Sequence, residues 1–384
     1  MHPRLVLSIG NFFSAVYFSL ILFILAPYLA LFLPDAHIGL VVSLGAFITL
    51  VTFPFVPHLI RRFGSKRLAL IFAFFQAVML SVLALSPAML FAILTVVLIC
   101  AVAPFISYQL DLLLQAATKE SGSTGQVRTL FLTAASVAYI VTPLLVSLLI
   151  DGTEAYWRVF LAAAVSLTPF IALLLFERLP EGEPPHIAAV TSTCFCLWSD
   201  PDLRAAALGN GVLQFFFHLV PLYIPLYLHT VLGFPWSDLG WVFAIMLLPF
   251  LFVEYPAGWI ADRWFGDKEL LIAGFIIMGI ALAATGFITA STPLVVIAAI
   301  LFVSRVGAAL SEAMVESHFF RRVSERDANT ISVFRMMRPD GARVAPLFAS
   351  VLLISGNYVA FFMISGALIV ALGVLVTIPL KDVR

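Results

Sequence analysis

The sequence predicts an all-α membrane protein in which twelve transmembrane helices form two six-helix bundles, and three observations support this prediction. The 384 residues are 62% hydrophobic and 11% charged, whereas a soluble domain carries about 25% charged residues. The apolar residues fall into twelve runs of about 20 residues, the length that crosses a bilayer as a helix. The last six runs repeat the first six at a shift of about 200 residues. We therefore expect the lipid bilayer to be part of the solvent of this chain.

Short polar turns separate the twelve runs, with one exception. The long polar segment ERLPEGEPPHIAAVTSTCFCLWSDPDLR follows the sixth run, which predicts bundles at 1–176 and 205–384 joined by a linker at 177–204. The first run is about twice as long as the 7–15-residue core of a signal peptide, so we interpret it as a retained helix. The predicted spans are 5–32, 37–60, 67–86, 88–117, 128–150, 155–176, 205–231, 237–261, 269–290, 293–318, 329–354 and 358–379.

The basic residues predict the orientation, because Lys and Arg are enriched in the cytoplasmic loops of membrane proteins. Of the 21 basic residues, sixteen flank the spans on one side, Arg158 alone lies on the other, and four lie inside spans. We expect both termini and the linker to be cytoplasmic, in a cytoplasmic (inner) membrane crossed many times.

The repeat is visible at particular residues. IGNFF, which begins at Ile9, parallels LGNGV, which begins at Leu208, and Gly39 parallels Gly240 at a shift of 201. Parallel repeats of six helices place a cavity near the bilayer midplane, between the repeats.

One segment between the eighth and ninth spans carries a family resemblance. GWIADRWFGDK resembles the G-x-L-a-D-r-x-G-r-k signature of the major facilitator superfamily, with one additional residue. The matching residues are Gly258, Asp262, Arg263, Gly266 and Lys268. The counterpart in the first half, PHLIRRFGSK, has Pro57 in place of the glycine and Arg61 in place of the acid.

The resemblance extends over essentially the whole chain and implies transport by alternating access. It also implies that the signature residues form a gating latch, in which the acid holds an arginine and faces a helix N-terminus. Asp111 of the fourth span and Glu316 of the repeat-related tenth span lie at comparable depth, and we interpret both first as gate or latch acids, with substrate contacts as the alternative.

Three charged residues share one face of the tenth span. At 100° per residue, Glu312 and Glu316 lie about 20° to either side of Arg305. A membrane helix carries such a stripe only where it is paired or hydrated, so we expect it to face the bundle interior or the cavity. Glu312 is a candidate proton carrier, because two neighbouring buried carboxylates disfavour joint ionisation. Permanent neutralisation of Glu312 by Arg335 or Arg338 is the alternative.

The eleventh span is irregular, because Pro339 removes an N–H and clashes with the carbonyl of Arg335, and Gly341 loosens the same turn. Three charged residues, Arg338, Asp340 and Arg343, surround this break. Two interpretations remain open: an internal Asp340–Arg343 pair, or a cationic wall that binds an anionic substrate.

The first helix of each half is expected to line the cavity. The candidate cavity residues are Asn11, Ser14, Tyr17, Asn210, Gln214 and His218. For His218, a packed residue with one hydrogen bond and a proton carrier are both open.

These features predict a secondary active transporter that moves a small molecule by alternating access, coupled to protons, with symport of an organic anion or nutrient favoured. The alternatives are an efflux antiporter for drugs or metabolites, an uncoupled facilitator and, as minor alternatives, a membrane-embedded enzyme or a receptor. We expect a monomer without a cofactor or metal, since the spacing of Cys194, Cys196 and His186 fits no common zinc site. Nucleic acid is not expected as a partner, because the net charge is zero.

Overall fold

The structure is a computed structural model that describes residues 3–85, 88–119, 124–150, 154–180, 198–261, 263, 266–323, 334 and 337–380. These residues form helices joined by turns and contain no β-strand, which confirms the predicted all-α class. The α-helices are α1 (Pro3–Ala30), α2 (Asp35–Thr52), α3 (Val56–Phe63), α4 (Ser65–Ala84), α5 (Met89–Lys119), α6 (Thr124–Ile150), α7 (Tyr156–Phe176), α8 (Pro201–Pro225), α9 (Trp236–Leu247), α10 (Pro249–Phe252), α11 (Glu254–Ile260), α12 (Asp267–Thr285), α13 (Leu294–Arg322), α14 (Met337–Leu352) and α15 (Tyr358–Thr377).

Ten helices within the described ranges are long and apolar enough to cross a membrane. The eighth predicted span is instead divided into α9, α10 and α11. Pro249 and Pro256 lie in the first turns of α10 and α11, where the missing N–H is tolerated although the preceding helix cannot continue through it. The eleventh predicted span is described from Met337 onward as α14, apart from Phe334.

The contacts divide the chain into two compact units. Unit 1 comprises Met1–Pro34, Leu40–His186 and Leu228–Ala244. Within it, α1 packs against α5, α6 and α7, and α4 packs against α5 and α7. Polar side chains buried among these helices bond to backbone: the Thr49 hydroxyl donates to the Ala101 carbonyl at 2.9 Å.

Unit 2 comprises Asp35–Gly39, Ile187–Tyr227 and Ile245–Arg384. Within it, α8 packs against α13, α14 and α15, and α12 packs against α13 and α15. These are the same five helix pairs as in unit 1, displaced by about 200 residues along the chain. The repeat that the sequence indicates is therefore also a repeat of packing.

Asp35–Gly39 belongs to unit 2 and Leu228–Ala244 to unit 1, although the residues around each segment in sequence belong to the other unit. A glycine in each segment explains this assignment. Gly39, in unit 2, lies so close to the Pro346 carbonyl and the Ser350 side chain that a methyl group would clash. Gly240, in unit 1, lies equally close to the Pro143 carbonyl and the Ser147 side chain. Both glycines therefore permit close helix approach, and their partners are also related by a shift of about 200 residues.

The outward surfaces of the long helices are apolar. Leu148 is 74% exposed, Val295 73% and Ile354 76%. Side chains of this kind are stable at an outer surface when lipid covers them. The chain is therefore a multi-pass membrane protein.

Two glycines with positive φ begin repeat-related helices. Gly64 (φ 79°) precedes α4, and Gly266 (φ 97°) precedes α12. Residues with a Cβ adopt this region only at a cost. These turns fix Ser65 and Asp267 as the first residues of the two helices.

Candidate functional site

A row of hydrogen-bonded polar side chains runs along α8 inside unit 2. The amide Nδ2 of Asn210 donates to the Phe334 carbonyl at 3.1 Å, and Nε2 of Gln214 donates to Asn210 Oδ1 at 3.2 Å. Nδ1 of His218 lies 2.8 Å from the Gln214 carbonyl. A carbonyl only accepts, so Nδ1 carries the hydrogen and Nε2 is the ring atom that can take up or release a proton.

Helix α14 approaches this row closely. A methyl group on Gly341 would lie 2.8 Å from the backbone and Cβ of Gln214. The glycine therefore has a packing role, whereas the sequence suggested a loosening of the turn. Pro339 is the third residue of α14, within the first turn, where its missing N–H is tolerated. Arg335, whose carbonyl was expected to clash with it, lies outside the described residues.

The charged residues of α14 include an internal ion pair. Nη2 of Arg343 donates to Asp340 Oδ1 at 3.0 Å, and each side chain is 35% exposed. Arg338 is exposed and lies within electrostatic range of His218. The pair that the sequence suggested is present, and Arg338 places a second cation near the polar row.

Arg305 is buried on the other side of α8. It is 2% exposed, and its guanidinium carbon lies 5.1 Å from the centroid of the Phe216 ring. Its Nε–H has no hydrogen-bond partner among the described residues, although Glu312 lies within electrostatic range. A cation–π contact of this kind contributes about 0.5–2 kcal/mol, so the ring compensates only part of the cost of burying this charge.

The two acids of the stripe lie in more accessible places than Arg305. Glu312 and Glu316 are both half-buried. The stripe therefore runs from the interior of unit 2 at Arg305 toward partly accessible positions near the end of α13.

Unit 1 contains the uncharged counterpart of this polar row. Nδ2 of Asn11 donates to the Phe131 carbonyl at 2.8 Å, which repeats the bond between Asn210 and Phe334. Ser14 and Tyr17 are buried, and Tyr17 lies beside Gln76 and Tyr139. The matched amide-to-carbonyl bond ties the first helix of each repeat to the fifth.

The predicted latch is only partly described, because Asp262 lies outside the described residues. Arg263 is exposed and lies over the Trp259 ring, 4.5 Å from its centroid. Nζ of Lys268 donates to the Ile378 carbonyl at 2.5 Å, and a methyl group on Gly258 would meet no atom within 4 Å. The positive φ of Gly266 explains why a glycine occupies that signature position, whereas no close contact requires a glycine at Gly258.

Asp111, which we assigned to the same latch, lies in α5. It is half-buried and within electrostatic range of Tyr108.

Sequence reasoning missed a second charged cluster in unit 2. Asp267 and His318 are both buried, and His318 Nδ1 lies 3.6 Å from Asp267 Oδ2. Arg322 donates to Asp202 at 2.7 Å. The sequence position of these residues could have indicated the cluster. Asp202 and Asp267 lie in the first turns of α8 and α12, and His318 and Arg322 lie near the end of α13. The stripe drew attention to the opposite face of α13, since His318 is rotated about 140° from Arg305.

Metal ligands are not grouped in the described part of the chain. No set of three or more His, Cys, Asp or Glu side chains there is placed to hold an ion. Cys194, Cys196 and His186 lie outside the described residues.

Comparison with known proteins identifies a family. The model described as Major Facilitator Superfamily matches residues 7–245 and 206–383. The probable sulfoacetate transporter SauU of Cupriavidus necator is 29% identical over 133 residues, which is 35% of this chain and 30% of that protein. The match thus spans less than a third of that relative's length.

Solved structures share the fold. A variant of the nucleoside transporter NupG superposes with a TM-score of 0.81 at 14% identity, covering 98% of this chain and 100% of that one. A bacterial homolog of the human lysosomal transporter Spinster, solved inward-facing and unoccupied, gives 0.74 at 13% identity, covering 98% and 96%. At these identities the likeness shows the fold alone.

Proposed function

This chain belongs to the major facilitator superfamily and is a membrane transporter of a small solute, and from that premise we propose that it carries a small organic anion together with protons. The proposal includes alternating access between two six-helix halves, with the termini and the linker in the cytoplasm. The ratio of sixteen flanking basic residues to one supports this orientation.

One observation carries the proposal of an anionic substrate: α8, the helix of the polar row, has an arginine near each of two faces. Arg338 of α14 lies within electrostatic range of His218 in the row, and Arg305 of α13 lies over Phe216 on the opposite face of α8. Arginine presents several N–H donors in a plane that suits carboxylate, sulfonate or phosphate groups. The relative SauU is a probable sulfoacetate transporter, and sulfoacetate is an anion of this class.

Glu312 supplies a physical route for proton coupling. It lies within electrostatic range of Arg305, so a bound anion and an ionised Glu312 compete for the same guanidinium. Uptake of a proton by Glu312 removes the competitor and favours the anion, while loss of the proton on the other side releases it. His218 is the second candidate, because the Gln214 carbonyl engages its Nδ1 and leaves Nε2 as the ring atom for proton exchange.

The test is uptake into liposomes that contain the purified protein. Labelled short-chain carboxylates and sulfonates are offered outside, with nucleosides as neutral competitors, with and without an inward proton gradient. The expected result is accumulation of an anion only when the gradient is present. Accumulation of a nucleoside instead would contradict the anion proposal, and equilibration without accumulation would identify an uncoupled facilitator.

Two variants assign the roles within this assay. Arg305→Gln should lower anion uptake about tenfold or more, the factor that corresponds to a lost charge-assisted hydrogen bond. Arg158→Gln is the matched control, since Arg158 is exposed in the first turn of α7 in unit 1. Glu312→Gln should retain anion exchange at equal pH and lose gradient-driven accumulation; full accumulation by this variant would transfer the proton role to His218.

A further inference from the structure

Five charged or titratable residues meet where α8 and α12 begin and α13 ends. We name this group the α13 clasp: Asp202, Asp267, His318, Arg321 and Arg322. Nη1 of Arg322 donates to Asp202 at 2.7 Å. Asp267 lies between His318, at 3.6 Å, and Arg321, at 3.7 Å.

The Asp267–His318 contact is unusual for buried groups. Their side chains are only 2% and 1% exposed, yet no hydrogen bond reaches either carboxylate oxygen or either ring nitrogen within the described part of the chain. More than about nine in ten buried polar groups in proteins have a partner. A proton on His318 and a movement of a few tenths of an ångström would convert the contact into a charge-assisted hydrogen bond.

Both residues lie near helix ends, where the helix dipole interacts with a charge. Asp267 is the first residue of α12, where the helix dipole favours an anion, and His318 lies in the last turns of α13, where it favours a cation. Arg321 Nη2 lies 3.7 Å from the other carboxylate oxygen of Asp267.

We propose that Asp267 and His318 form a proton-operated link that fastens the end of α13 to the start of α12. His318 is the histidine of the clasp, and an imidazole can gain or lose a proton at a ring nitrogen. The link is present while the imidazole is protonated and Asp267 is ionised, and it is lost as the pH rises and the imidazole becomes neutral.

The charged residues around the clasp cannot supply the same response to pH. Apart from His218 of α8, the other charged residues of α12, α13 and the elements packed against them are Asp202 and Arg204 of α8, Glu254 of α11, Lys268 and Glu269 of α12, and Arg305, Glu312, Glu316, Arg321 and Arg322 of α13. Helices α10 and α15 carry none. All the bases in this set are Lys or Arg, which stay charged throughout the range in which an imidazole titrates.

The link gives the transporter a response to pH at this end of unit 2. With the orientation proposed above, this end faces the cytoplasm, so alkaline pH there would loosen α13, the helix that carries Arg305 and Glu312. This consequence depends on the proposed function, whereas the link itself does not.

Hydrogen–deuterium exchange of the protein in nanodiscs tests the link without measuring transport. After correction for the intrinsic pH dependence of exchange, amides of the last turns of α13 should exchange about tenfold faster at pH 8 than at pH 6, the factor of one charge-assisted hydrogen bond. Wild-type protein with equal corrected rates at the two pH values would overturn the proposal, and this result needs no variant.

Variants then identify the residue responsible. His318→Gln should exchange quickly at both pH values, and His318→Arg, whose guanidinium stays charged when buried, slowly at both. His58→Gln is the matched control, since His58 is exposed on α3 in the other unit, and it should keep the wild-type response. Asp267→Asn should lose the pH response; if it kept the response, another residue would be the partner of His318 and the proposal would fail.

Discussion

The close approach of α14 to α8 makes a sharp prediction at Gly341. In Gly341→Ala, the added methyl group would lie 2.8 Å from the backbone carbon, backbone oxygen and Cβ of Gln214. Backbone atoms cannot rotate away, so the two helices must separate. Such overpacking costs about 1–3 kcal/mol, which exceeds the gain of about 0.8–1.0 kcal/mol from replacing glycine by alanine inside a helix.

A second glycine at the same helix pair is the matched control. A methyl group on Gly211 of α8 would lie 3.6 Å from the sulfur of Met337, which is ordinary van der Waals contact with a flexible side chain. Gly211→Ala therefore keeps the helix gain of up to about 1 kcal/mol and avoids the steric cost. The two variants should shift stability in opposite directions.

The assay is the apparent unfolding temperature of the purified protein in one detergent, followed by the liposome uptake described above. Gly341→Ala should unfold at a lower temperature than wild type and transport more slowly, because displacement of α14 disturbs the Asn210–Gln214 row. Gly211→Ala should unfold at an equal or higher temperature and transport normally. A Gly341→Ala protein as stable as wild type would refute the close packing of α8 and α14.

Three further predictions concern single contacts, each measured by the same unfolding assay. Asn210→Ala should lower stability by about 1–3 kcal/mol, because a buried carbonyl loses its donor. Gly266→Ala should lower stability by about 1–2 kcal/mol, since a residue with a Cβ is strained at φ 97°. Gly258→Ala is the control and should not lower stability, because the new methyl group has open space around it. Equal effects of the two variants would contradict this explanation. Arg322→Gln should destabilise by about 1–3 kcal/mol because it leaves the buried carboxylate of Asp202 without its charge-assisted bond, and Asp202→Asn combined with it should recover part of that loss.

The sequence was sufficient to predict the helices and their repetition, because apolar length and the shift of about 200 residues are properties of the chain itself. It also identified Gly39 and Gly240 as equivalent positions of the repeat, and both permit close helix approach in the structure. Their packing partners, Pro346 and Pro143, were not predictable, because the pairing of segments distant in sequence depends on tertiary packing.

The limits of prediction are clearest at Gly341 and Asp267. The sequence indicates that glycine weakens a helix, whereas the structure shows that this glycine admits the neighbouring backbone. Asp267 is one residue from the signature glycine Gly266, yet nothing in a single sequence pairs it with His318, 51 residues later. Helical periodicity finds residues on one face of one helix, and it does not find contacts between two helix ends.

The comparison of the two units separates scaffold from chemistry. Asn11 and Asn210 make the same bond to a backbone carbonyl, so the amide serves the shared architecture of the repeat. In unit 1 the row continues with Ser14 and Tyr17, whereas in unit 2 it continues with Gln214 and His218 and has arginines beside it. If binding depended on the scaffold alone, Asn11→Ala and Asn210→Ala would reduce anion uptake equally. Because Arg338 lies within electrostatic range of the second row, we expect uptake to depend far more strongly on the Asn210 side.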